Sequence, residues 1–302
     1  MDNKTKGFLF VILSAIGFGS MPVFARIAYH DGANVFELLA ARFFVAWLVL
    51  LIWLRWKKPA KILTAKQRRG AILMGLCGYS LASLCFFSAL HRIPAPLASI
   101  VLYTYPAVVS CLASITGTEK MDRTKLIALL VSFTGLVLVL GSSYASFDTL
   151  GILLSLAASL LYSFYVLIGN HTLKDAPLTS ATLWISFAAA AGIGTFGLAT
   201  RQLAFTFGVN GWLAVAGLAL FSTVVAVLAF LHGIILVGAS KASIVSTLEP
   251  LVTVVLAAVF LAEMLGPVQL IGGALVLASA VLVNQAKKDA LEKEKPPAGM
   301  AV

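Results

Sequence analysis

The chain has 302 residues, 60% of them hydrophobic and only 11% charged, with a mean hydropathy of +0.99. A soluble domain carries about 25% charged residues, and a soluble fold of this length has too little interior to hide so much apolar surface, so the solvent is lipid. That excludes a soluble enzyme, a disordered chain, a coiled coil and a nucleic-acid reader; the net charge of +10 is accounted for by where the cations sit.

Apolar runs of about 20 residues, the length of a bilayer-crossing helix, predict ten spans. They cover residues 7–28, 35–56, 70–90, 96–115, 126–141, 150–169, 178–199, 212–237, 242–262 and 268–284. Strict apolar–polar alternation is absent, which excludes a transmembrane β-barrel. The expected fold is an all-α integral membrane protein. Lys4 and Lys6 before an apolar run resemble a signal peptide, but the run is too long and the repeat described below needs it as a first helix. The connecting loops are short, the longest covering 57–69, and no GxxxxGK[ST] motif occurs, so no ATP-driven domain lies in this chain. Residues 287–302 are charged and then rich in Pro and Gly, and read as a solvated cytoplasmic tail without fixed structure. Cys77, Cys85 and Cys111 lie in apolar runs; an odd number without CxxC spacing argues against a disulfide framework or a zinc site.

Lys and Arg near span ends favour the cytoplasmic side. With the N-terminus inside, eighteen of the 22 Lys and Arg fall in cytoplasmic segments: Lys4 and Lys6, the cluster from Arg55 to Arg69, Lys120, Arg123 and Lys125, Lys174, Lys241 and the tail. Only Arg92 and Arg201 fall outside, and Arg26 and Arg42 lie within spans. Both termini are therefore expected in the cytoplasm, with a bacterial inner membrane as the setting. Arg26, one turn from the outer end, is expected to snorkel.

The chain repeats at a shift of 144 residues, which superposes Pro106 on Pro250, Glu119 on Glu263, Gly7 on Gly151, Phe43 on Phe187 and Phe86 on Phe230. From Ala95 to Glu119, ten of twenty-five positions match without a gap, including Ala98-Ser99-Ile100-Val101 against Ala242-Ser243-Ile244-Val245. The expected domains are 1–145 and 146–286, with five spans each, followed by the 287–302 tail. Five is odd, so the second half enters the membrane from the opposite side, giving an inverted-topology repeat of the kind that recurs in secondary transporters.

Ten spans, the 5+5 repeat, and the segments PLASIVLYTYPAVVSCLASITGTE (96–119) and SKASIVSTLEPLVTVVLAAVFLAE (240–263) resemble the EamA family of the drug/metabolite transporter superfamily. The resemblance rests on the mid-helix proline of each half, Glu249 before Pro250, the closing Glu119 and Glu263, and Arg42. Phe18-Gly19 departs from the tryptophan that many relatives carry. The resemblance implies a secondary transporter of small organic metabolites working by alternating access. Export of amino acids or related compounds is the leading reading, and import of a metabolite or vitamin is the alternative. The expected partners are a small-molecule substrate, the lipid bilayer and protons as a coupling ion, with no nucleic acid and no cofactor, in a monomer or homodimer.

Glu249 is the sharpest site candidate. At 1.5 Å per residue it lies about 12 Å from the end near Lys241, close to the centre of a core about 30 Å thick. An ionisable group at that depth is a functional hypothesis by default; a substrate ammonium, a coupling proton or a structural hydrogen bond would each account for it. Its repeat counterpart is Tyr105. Pro106 and Pro250 are hinge or cavity candidates, because each removes a backbone hydrogen bond. Arg42 suits a substrate carboxylate or a structural pairing. His232 is titratable near neutral pH, or a helix–helix hydrogen-bonding group. Tyr79, Ser83, Tyr103, Tyr162 and Thr223 stand out among the span hydroxyls and aromatics as cavity-lining candidates; such groups also join membrane helices. Glu119 and Glu263 are expected to cap the span that follows each. The spans hold one buried Glu, one His, and no HExxH or GxSxG, so a membrane enzyme is disfavoured, and rings of charge that would suggest a channel are lacking.

Overall fold

The structure is a computed structural model that describes residues 2–57, 62–117, 123–141, 148–173, 175–237, 242 and 245–293. Glu119, the cations Lys58, Lys61, Lys120, Lys174 and Lys241, and the end of the tail from 294 lie outside the described residues.

The described residues are helical and contain no strand. Eight stretches are long and apolar enough to cross a membrane: Asn3–His30, Val35–Lys57, Ala65–Leu90, Ala95–Ile115, Arg123–Leu140, Thr149–Gly169, Leu178–Ala199 and Val209–Val237. Two shorter apolar helices follow, Leu248–Leu261 and Pro267–Leu282, on the ninth and tenth predicted spans. The ninth is shortened because its chain turns at Thr247 before the helix from Leu248 begins. The last helix runs on to Lys293, past residue 287 where an unstructured tail was expected.

Four stretches are divided: proline marks the division in two of them and a π-helical segment in the other two. The first consists of α1 (Asn3–Gly19) and α2 (Met21–His30), with Pro22 in the first turn of α2. α3 is Val35–Lys57. The next runs from α4 (Ala65–Leu73) through a π-helical segment, Met74–Tyr79, into α5 (Ser80–Leu90). The fourth divides into α6 (Ala95–Leu102) and α7 (Tyr105–Ile115), with Pro106 in the first turn of α7. α8 (Arg123–Gly141), α9 (Thr149–Thr172) and α10 (Leu178–Ala199) are continuous. α11 (Val209–Ala219) passes through a second π segment, Leu220–Val225, into α12 (Ala226–Val237). α13 (Leu248–Leu261) and α14 (Pro267–Lys293) complete the chain.

Helix pairing respects the 144-residue shift. α1 packs on α12 and α9 on α5; α13 packs on α1 and α6–α7 on α9; α3 pairs with α10 and α8 with α14. Exchanging the two sequence halves maps this set of pairs onto itself. The close approaches repeat too. A Cβ on Gly7 would lie 2.5 Å from Val237 and 2.8 Å from Leu236, and one on Gly151 would lie 2.6 Å from Ile93 and 3.0 Å from Arg92. Residues 92 and 93 are the repeat counterparts of 236 and 237.

Burial is inverted relative to a soluble protein. Leu9, Phe44, Phe133, Ile235 and Phe260 are exposed, whereas Arg42, Ser159, Ser163, Thr223 and Thr253 are buried. Small residues bring helices together in place of a hydrophobic drive. At the α8–α14 crossing, a Cβ on Gly272 would lie 2.6 Å from the Gly135 carbonyl oxygen and 2.9 Å from the Val139 amide. Backbone cannot yield as a flexible side chain does, so Gly272→Leu is expected to destabilise the protein by about 2 kcal/mol, the usual scale of overpacking. Thermal unfolding in detergent checks it; an unchanged midpoint would mean that the two helices do not meet there.

One end of the bundle is laced by polar contacts. Asn34 donates to the Gln202 carbonyl, Asp31 accepts from the Gly211 amide, and Arg92 bonds to Asp148, which caps α9. The Glu37 carboxylate accepts the Ala204 and Phe205 amides and so holds Phe205 at a φ of 52°, a left-handed backbone that a bulky residue seldom adopts. The large apolar core, including Leu38, Phe87, Ile93, Leu97 and Leu218, fills this same half. Toward the opposite end the described residues form only two small clusters, around Leu50 and around Met74.

Candidate functional site

Beneath the large core lies a cavity of about 170 Å³. The helix breaks open onto it. Pro22 has no N–H to give to the Phe18 carbonyl, so α1 ends at Gly19 and the Ser20 hydroxyl turns to the Gly17 carbonyl and the Ser222 hydroxyl. Gly19 lets this break approach α13: a Cβ there would lie 2.7 Å from the Glu249 carbonyl oxygen. The Thr253 hydroxyl donates at 2.9 Å to the Gly19 carbonyl and so fastens the two segments. Pro250 likewise leaves the Ser246 carbonyl without its helical partner, and the Tyr103 hydroxyl from the break between α6 and α7 donates to it at 2.7 Å. Tyr103 and Thr247 are repeat counterparts, so the break of one half is tied to the break of the other.

Of the residues singled out in the sequence, Glu249, Tyr103, Tyr79, Ser83, Tyr162, Arg42 and Pro250 line this cavity together. Glu249 sits in the first turn of α13, and among the described residues its carboxylate has no hydrogen-bond or ion-pair partner. Five tyrosines form one continuous chain of rings, four of them on the cavity wall and Tyr165 behind it: Tyr103 meets Tyr105 at 5.6 Å between ring centroids, Tyr105 meets Tyr162 at 4.9 Å, and Tyr165 meets both Tyr162 and Tyr79 at 5.5 Å.

Arg42 is 1% exposed. Its guanidinium carbon lies 5.0 Å from the Phe43 ring centroid and 5.3 Å from that of Phe87, an arrangement that favours a cation. Its Nε donates to the Thr223 hydroxyl at 3.0 Å and its Nη2 to the Tyr79 hydroxyl at 3.2 Å. No ion pair joins Arg42 to Glu249. Both sequence readings of Arg42 thus meet in one residue: it is bonded to neighbours and it faces the cavity.

Three candidates stand elsewhere. Thr223 lies behind Arg42 rather than on the cavity wall, in the second π segment. His232 is exposed on the outer face of α12, with a ring nitrogen 2.8 Å from the Leu228 carbonyl of its own helix and the Phe10 ring at 5.7 Å. Pro106 sets the start of α7 but does not line the cavity.

Two expectations at the laced end are corrected. Arg26 does not snorkel: its Nε and Nη2 donate to Glu263 Oε1 at 3.0 and 2.5 Å, because Glu263 reaches it from the end of α13. Glu263 does not cap the helix that follows it. Its Oε2 accepts the Ala95 amide at the start of α6 at 2.6 Å, while the Gly266 amide before α14 is taken by Gln269. The cause is the left-handed turn at Ala262, φ 54°, which reverses the chain so that Glu263 faces back over the bundle. Glu263 therefore clasps three stretches together. The sequence reading missed Ser99, Thr253 and Phe230 on the cavity wall and Glu37 beneath the 204–205 loop. Of these three wall residues, the shift of 144 was a usable signal at Phe230, the counterpart of Phe86 on the same wall; Tyr105 and Glu249, Leu102 and Ser246, and Phe18 and Tyr162 are further counterparts that share the wall.

A second hollow of about 600 Å³ between α3 and α10 is lined by Ala, Gly, Val, Phe and Trp alone. It has no charged or hydroxyl side chain to orient a solute, so the first cavity is the candidate site.

The family model described as the EamA-like transporter family matches residues 5–141 and again 149–285. The chain belongs to the EamA-like transporter family. Among curated proteins, the uncharacterized transporter YcbK of Bacillus subtilis (strain 168) is 26% identical over 285 residues, 88% of each chain. An uncharacterized transporter of Archaeoglobus fulgidus is 27% identical over 273 residues, 90% of this chain and 94% of its own. The uncharacterized inner membrane transporter YedA of Escherichia coli (strain K12) is 23% identical over 252 residues, covering 83% and 81%. One solved crystal structure aligns with a TM-score of 0.65 at 18% identity over 96% of this chain and 99% of that chain, a likeness of fold. This EamA-like protein is thus a multi-pass membrane transporter, with an apolar exterior and a mainly apolar cavity that carries a few polar groups.

Proposed function

We propose that this EamA-like protein is a secondary transporter that exports small organic metabolites, amino acids foremost, across a bacterial inner membrane by alternating access. The observation that carries the reading is Glu249: a carboxylate without a protein partner among the described residues, facing the cavity at a helix break. An ionisable group in that setting awaits a cation, and a primary ammonium and a proton are the two that it suits. Broken helices around a mid-bundle site are the recurring architecture of such carriers.

The pairing of helices under the 144-residue shift supports an arrangement of ten crossings as two inverted halves. The polar lacing supports the orientation, because each contact joins segments that the charge distribution assigns to the outer side: 26–37, 91–95, 148, 202–211 and 263. With that end outside, the dense core and the Glu263 clasp close the cavity to the exterior, and both termini face the cytoplasm.

The test is thermal unfolding of the purified protein in detergent against amino acids, vitamins, purines and other small metabolites. A ligand held only by the folded state adds about 2.7 kcal/mol at a hundredfold excess over its Kd. A saturable upward shift with amino acids is expected. A shift confined to solutes without an ammonium group would overturn the amino-acid assignment.

A further inference from the structure

We propose that Thr223 and Tyr79, one hydroxyl from each half of the chain, position Arg42 so that its free guanidinium edge binds the carboxylate of the substrate. The inference rests on the reading of the cavity as an amino-acid site.

The two positioning residues are repeat counterparts, 144 residues apart, and each belongs to a π segment. A π turn widens the helix and frees carbonyls from their usual partners, and such turns concentrate at functional sites. Here hydroxyls take up those carbonyls. Thr223 donates to the Leu218 carbonyl at 2.9 Å and Ser80 donates to the Gly75 carbonyl, each five residues back. With its proton committed to Leu218, the Thr223 oxygen presents lone pairs to Arg42 Nε. The second π segment therefore explains why a threonine stands there, and the first delivers Tyr79 to Nη2 of the same arginine.

A guanidinium has five N–H donors in a fixed plane. Thr223 and Tyr79 occupy the side defined by Nε and Nη2, leaving the end defined by Nη1 and Nη2. That end has no acceptor among the described residues, and it is not among the orphaned buried polar atoms, which are four serine hydroxyls; it opens on the cavity that Arg42 lines. Two parallel N–H donors match the two oxygens of a carboxylate. Charge is placed once only: the counterpart of Arg42 is Ser186, and that of Glu249 is Tyr105. One half supplies the cation and the other the anion, so a zwitterion bridges the halves in a single orientation.

The experiment is calorimetric titration of the detergent-solubilised full chain with L-phenylalanine, phenylacetate and phenethylamine, which carry both charges, the carboxylate only and the ammonium only. Thr223→Val is expected to weaken phenylalanine and phenylacetate by about tenfold, the scale of a charge-assisted hydrogen bond, and to leave phenethylamine unchanged. Thr223→Ser should restore wild-type affinity, and Tyr79→Phe should follow Thr223→Val. Equal weakening of all three probes, or no change in phenylalanine, overturns the positioning role. If the wild type binds none of the three, the amino-acid reading falls and this inference falls with it.

Discussion

Replacing Glu249 with Gln is expected to remove the proton dependence of transport and to weaken ammonium-bearing substrates by about tenfold or more, while the protein still folds. The carboxylate lines the cavity and makes no bond that holds the structure together among the described residues. The backbone of the same residue is fastened separately, through its carbonyl, by Thr253 and the Gly19 contact. An isosteric amide therefore leaves the contact between the end of α1 and α13 in place. What it loses is a charge-assisted hydrogen bond to the ligand worth about 1.5–3 kcal/mol and, among the described residues, the one carboxylate on the cavity wall. Proteoliposomes with an imposed pH gradient separate the two roles. Loss of the gradient response with residual exchange of substrate is the expected pattern. A full response to the gradient in the Gln variant would remove Glu249 from coupling, whatever happened to affinity.

Glu263→Ala is expected to open the laced end. One carboxylate holds α2 through Arg26 and α6 through the Ala95 amide, and itself ends α13. The side chains of the ion pair are 28% and 16% exposed, so solvent screens it only in part. Removing one partner of a buried pair costs about 3–5 kcal/mol. With partial screening about 2 kcal/mol is expected here, a shift of about thirtyfold toward the open form. Glu263→Gln keeps an acceptor for Ala95 and loses the ion pair, and should fall between. The measurement is labelling of a cysteine at Ser99, on the cavity wall, by a membrane-impermeant thiol reagent added to either side, with Cys77, Cys85 and Cys111 replaced. Faster labelling from the outer side is expected. An unchanged rate from both sides would mean that the clasp does not set access.

Much of this molecule was legible as sequence because lipid makes polarity conspicuous. Glu249 and Arg42 stood out as ionic groups inside apolar runs, and both line the cavity. Pro22 was not singled out, although the same rule that marked Pro106 and Pro250 applies to it. What stayed hidden was pairing at a distance. Arg26 and Glu263 are 237 residues apart, and no local pattern joins them; the turn at Ala262 that brings them together places an alanine where glycine is the usual signal. Thr223 drew attention for the wrong surface, since nothing in the letters announces a π turn. His232 was open between a titratable role and a bond between helices; its ring nitrogen lies 2.8 Å from a carbonyl of its own helix, on an exposed face.

The contacts at Gly7 and Gly151 carry a consequence for how the chain is made. Each is a notch in the first helix of one half, filled by the end of the third helix of the other. Chains are delivered N-terminal part first, so when the ribosome has inserted α1 through α8 the notch at Gly7 is still empty, and its filler, Leu236 and Val237, is not yet synthesised. The first half therefore waits in the bilayer with an unfilled seam, and assembly is a late event set by the arrival of α12. Truncation anywhere before residue 236 leaves that seam open, and membrane quality control meets a helix without its mate rather than a smaller working carrier.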